Sequence, residues 1–88
     1  MCTYATETVE LTGSAKGPNG WFAASRATVY FDHPIHHPRG HALMIDVLSA
    51  SDGPSARVAL ELDPDAARAF ATTILRALEE VPDALLEG

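Results

Sequence analysis

The chain has 88 residues, twelve acidic and six basic, giving a net charge of −6, and 47% of its residues are hydrophobic. Such a length specifies one domain, and one this small hides only about 60–65% of its unfolded surface, so it needs a staple or a partner. Cys2 is the only cysteine, which excludes an internal disulfide. The acidic balance argues against nucleic acid and against an anionic membrane surface. No apolar run reaches the roughly 18 residues that span a bilayer. One thiol and no secretion signal point to a reducing cytoplasm.

Residues 4–12, "YATETVELT", alternate with period two and read as a strand. "GSAKGPNG" follows as a connection between strands. Its glycines are not a phosphate loop, because no helical pattern follows them. Residues 21–32, "WFAASRATVYFD", form a second strand with Trp21, Ala27, Val29 and Phe31 on one face. A third strand covers 41–49, with Leu43, Ile45 and Val47 on one side. After the turn at Asp52-Gly53-Pro54, a fourth covers 55–62, with Val58, Leu60 and Leu62 inward. The period then changes. Asp63 suits an N-cap, Pro64 a first helical position, and Ala67, Phe70, Ala71, Ile74, Leu78 and Val81 make a helical stripe over about 64–81, ended by Pro82.

The order β-β-β-β-α with short connections predicts an α+β, two-layer domain: a four-stranded antiparallel meander with one C-terminal helix on one face. Phe70, Ile74 and Leu78 are expected to pack on Trp21, Val29, Leu43, Ile45, Val58 and Leu60. The other face carries Phe22, Tyr30, Met44 and Leu48 beside Arg26, Arg57, Asp46 and Glu61. That face is expected to be uncovered, to form the interface of a homodimer, or to bind a small molecule.

All four histidines lie within nine residues, in "DHPIHHPRGH". A first hairpin with Thr12 opposite Trp21 brings Cys2 to Asp32 and His33, at the end where the helix begins at Asp63. This points to a transition-metal site of Cys2, His33, His36 and His41, with Asp32 orienting an imidazole and His37 as the weaker ligand. Zinc is the default ion, with copper, nickel or iron as alternatives. Removal of Met1 would add the amine of Cys2. A small metal-binding protein is the leading functional reading, with a metal-dependent enzyme acting on a small metabolite as one form of it, and a Cys2–His33 nucleophile–base pair is a lesser one. The spacing H-x2-H-H-x3-H matches no zinc signature, so two alternatives stand beside it: solvated loop histidines, and a non-catalytic homo-oligomeric binding or accessory module without metal.

The segments "MCTY", "GSAKGPNGWF", "VYFDHPIHHPRGHALMIDVL" and "GPSARVALEL" resemble an uncharacterised family of small actinobacterial proteins, a domain of unknown function. The matching positions are Cys2, Gly20-Trp21-Phe22, Asp32-His33-Pro34, His36 and His41, and His37 departs from the pattern. The resemblance implies no activity.

Overall fold

A computed structural model describes residues 4–87. Four strands, β1 (Ala5–Gly17), β2 (Gly20–Asp32), β3 (Ala42–Leu48) and β4 (Arg57–Leu62), are followed by helix α1 (Pro64–Glu79) and a single turn of helix, α2 (Asp83–Leu86). The strands pair in chain order, all antiparallel. The fold is therefore the expected two-layer meander with one dominant helix on one face.

The first hairpin is longer and tighter than the composition of "GSAKGPNG" suggests. Only Pro18 and Asn19 separate the strands, because Pro18 presets φ for the turn and Gly20 takes the left-handed φ of +108° that follows it. Lys16, not Thr12, lies opposite Trp21. The pairing slips between Glu10 and Gly13, where Leu11 and Thr12 face Ser25 alone. Such a bulge bends the strand and increases its twist.

β3 pairs only with Arg26–Asp32 of β2, so the hairpin tip projects past the sheet. It curls back over one face until Gly17 reaches β4. A Cβ on Gly17 would sit 3.2 Å from the Arg57 carbonyl oxygen and 3.1 Å from the Phe22 ring. The loop 49–56 fastens this curl: the Ala23 N–H donates to Asp52 Oδ2 at 3.0 Å, and the Ala50 N–H donates to Ser25 Oγ at 2.8 Å.

The curl decides which side is inside. Phe22, Ala24, Ala42 and Met44, on the concave face, are buried. This is the face expected to be bare, and the expectation is corrected. Its alanines leave room for the hairpin to close over it. α1 lies on the convex face, over Val29, Phe31, Leu43 and Ile45, but covers it incompletely. Phe70 remains 48% exposed, Ile74 47% and Leu78 52%, and Trp21 is 71% exposed. The helix stripe thus faces the predicted strands without being sealed against them, and Trp21 does not join a core.

Two adjacent residues separate the faces cleanly. Truncating Phe22 to Ala should cost about 3–5 kcal/mol in a denaturant titration, whereas Trp21→Ala should change stability by only about 0.5 kcal/mol.

Candidate functional site

The loop between β2 and β3 must satisfy its backbone polar groups, because Pro34 and Pro38 keep it irregular. One carboxylate does most of this work. Glu61, on β4, accepts from three consecutive backbone N–H groups: Ile35 at 2.7 Å, His36 at 2.8 Å and His37 at 2.6 Å. The Ile35 bond above all, with lesser help from those of His37 and His36, holds the Glu61 carboxyl below the usual carboxylate range against the opposing effect of desolvation.

A second carboxylate anchors the far side of the loop. Nε2–H of His37 donates to Asp63 Oδ1 at 2.6 Å, and Arg39 Nη1 lies 3.4 Å from the same oxygen. The His37 hydrogen bond, reinforced by the charge of Arg39, lowers the Asp63 pKa. Asp63 is the N-cap of α1 by position, and its carbonyl accepts the Ala67 N–H at 2.9 Å. Its side chain makes no capping bond, because it is engaged by His37. The histidine judged the weakest candidate therefore has the clearest partner.

The other imidazoles separate from this pair. Nδ1–H of His33 donates to the Gly40 carbonyl at 2.7 Å, closing the loop on itself. The His33 and His41 rings lie 4.4 Å apart, and His41 stacks on Phe31 at 5.8 Å and meets Tyr4 edge-on at 5.2 Å. Buried Asp32 accepts the His33 backbone N–H at 2.7 Å. His36 lies beside Leu60 and Glu61. Among the described residues no three His, Cys, Asp or Glu side chains come together to hold a metal ion. This corrects the reading of a metal-dependent protein built on Cys2, His33, His36 and His41. The physical reason is that the imidazoles have separate partners: His37 bonds Asp63, His33 bonds the Gly40 carbonyl, and His41 packs among Tyr4, Phe31 and His33, while Glu61 is occupied by backbone N–H groups. Cys2 lies outside the described residues.

The comparisons with known proteins support an uncharacterised family and go no further. The sequence model of a family of unknown function, DUF6295, matches residues 1–87. The chain belongs to this family. No curated protein and no solved structure matches it. Among the described residues of this DUF6295 member, no helix is long and apolar enough to cross a membrane.

The concave face holds a second constellation. Tyr30 Oη donates to Asp46 Oδ2 at 3.0 Å, and Arg57 Nη2 donates to Asp46 Oδ1 at 2.8 Å. All three residues belong to the sheet face opposite the helix. Burial, then the bond to Asp46, raises the Tyr30 pKa, and the same carboxylate raises that of Arg57. These three residues line a pocket of about 550 Å³ whose apolar walls include Ile35, Met44, Leu60, Pro18 and Pro54. Tyr30 and Asp46 sit diagonally on adjacent strands, so the period-two reading that placed both on one face was the usable signal.

Two outcomes test the loop. With folded pKa values depressed, the contributions of Glu61 and Asp63 are complete above their unfolded values, about 4.3 and 3.9, and are lost as pH falls through the lower folded values. The amide proton shifts of Ile35, His36 and His37 should therefore titrate together below pH ~4.3, and Glu61→Gln should abolish that shared titration. Nε2 of His41 is buried with no hydrogen-bond partner among the described residues. His41→Phe keeps the ring stack and removes that atom, so the melting temperature should rise, by an amount corresponding to about 1 kcal/mol.

Proposed function

We propose that this chain is a non-catalytic binding module that works as a homo-oligomer in the cytoplasm. The observation that carries this reading is the use made of the loop's reactive groups. Glu61 is engaged by three backbone N–H groups, Asp63 by His37 and Arg39, and His33 by the Gly40 carbonyl. An acid–base or nucleophilic catalyst needs a group aimed at the reacting atoms beside a partner that activates it. Here Glu61 and His33 hold backbone in place, and Asp63 ties the side chains of His37 and Arg39 to the start of the helix.

Binding is assigned to the concave pocket. Its volume and its apolar walls around a few convergent polar groups suit a small molecule. Arg57 uses one of its five N–H donors on Asp46 and is half exposed. A carboxylate attached to an apolar body fits both features: the acid meets the guanidinium and the body meets Ile35, Met44 and Leu60. The lone thiol of the sequence supports the reducing compartment.

A thermal-shift panel of aliphatic and aromatic carboxylic acids tests the assignment. At least one acid should raise the melting temperature, by about 4–8 °C for each kcal/mol of linked binding. Arg57→Met should remove that response. A panel in which no acid shifts the wild type, or one in which Arg57→Met responds equally, rejects the pocket as the binding site.

A further inference from the structure

We infer that the groove between α1 and the convex face of the sheet is the subunit interface of a homodimer, filled by the α1 stripe of a second copy. This rests on the oligomeric part of the proposed function and adds the face and the partner. The face is opposite to the one the sequence suggested.

The first argument is the amount of surface left over. The chain exposes 6592 Å², whereas a compact 9.4 kDa monomer exposes about 5,000 Å². The Cα radius of gyration is 14.6 Å, against about 12 Å for a compact domain of this length. The surplus, about 1,600 Å², falls within what one side of an obligate dimer interface covers. Among the described residues no large side chain is fully buried, and the buried apolar ones are Phe22, Met44 and three alanines.

The second argument is where the surplus lies and what it is made of. The groove holds about 600 Å³. Val29, Phe31, Leu43 and Ile45 form its floor, and Phe70 and Ile74 lie along its helical wall. Arg68 is its only charged lining residue, so none of the twelve acidic side chains must be desolvated to close it. A basic or an acidic polar partner finds no complement there, and a lone arginine is a poor anchor for an anionic membrane.

The third argument is self-complementarity. Each chain offers both the acceptor and the insert, because Leu75 (61% exposed) and Leu78 stand outside the groove on the same helix. A two-fold axis can seat the stripe of each copy against the floor of the other, and such an isologous arrangement closes at two subunits. A net charge of −6 per chain makes the two copies repel at long range, so added salt should tighten the pair.

Sedimentation velocity on the full chain at about 10 μM, above the dissociation constant of a stable dimer, should give twice the 9.4 kDa chain mass. Ile74→Glu and Leu78→Glu, made separately, should each yield monomer or a far weaker dimer, and the concave-side Thr8→Glu should not. Because the groove variants could also unfold, the unaltered protein supplies the second readout. In a dimer mixed from ¹³C-labelled and unlabelled chains, isotope-filtered NOEs should connect the Leu43 or Ile45 methyls of one copy with Ile74 or Leu78 of the other. A dimer whose only intermolecular NOEs involve Met44 and Leu48 overturns the inference and leaves the oligomeric reading standing. A wild-type monomer overturns both, including one that native mass spectrometry finds carrying a fatty-acid adduct in the groove.

Discussion

A four-stranded sheet has two faces, and this chain has one helix with which to cover them. Both faces are apolar: Phe22, Met44 and Tyr30 on one, Val29, Phe31, Leu43 and Ile45 on the other. Everything else in the structure follows from how that shortage is met. The concave face is closed by the sheet itself. The 13-residue strands of the first hairpin overrun β3, bend at Leu11–Thr12, and fold Gly17 against β4. That closure requires small residues where chains meet, and Ala24, Ala42 and Gly17 supply them. A side chain at residue 17 would press on the Arg57 carbonyl, a backbone atom that cannot swing aside.

The strands, their order and the helix were legible because each rests on local periodicity and short connections. Period two holds from 5 to 62 except where turn residues interrupt it, and the switch to helical spacing falls at Asp63-Pro64. Which face would be inside was not legible. Large β-branched and aromatic residues dominate the odd positions of β2 and β3, so counting hydrophobicity marks that side as the core. The even positions interleave alanines with Phe22 and Met44, which reads as a weaker face. Alanine there is a sign of close approach by another part of the chain. That approach depends on a bulge at Leu11–Thr12 and a two-residue turn at Pro18-Asn19, at either end of a Gly-, Ser- and Lys-rich run that reads as a connection.

The histidine loop shows a different limit. Residue types suggested ligands, and the types were right for that chemistry. What decides the geometry is the backbone. Three successive N–H groups in an irregular, proline-flanked loop need an acceptor, and Glu61 lies within reach because β4 runs antiparallel to β3 and ends at the loop. The available signal was the pair Glu61 and Asp63, two residues apart at the same end of the sheet as the loop. Asp63 reads as a helix cap close to the histidines, without its pairing to His37. The difference between His36 and His37 likewise arises from which neighbour faces Asp63, and spacing alone does not contain that.

These two features meet at the start of α1. The helix has no fully buried residue and touches the sheet mainly along β3, so packing alone holds it loosely. Its N-terminus is fixed instead by a short covalent step from β4 and by the side chain of Asp63, which His37 and Arg39 draw away from the capping position. Glu61, one turn of chain earlier, binds the same loop. The polar loop therefore sets the angle at which an apolar helix leaves the sheet, and that angle sets the width of the groove beneath it. Substitutions in the loop should therefore alter the convex face through this link, although no loop residue lines the groove.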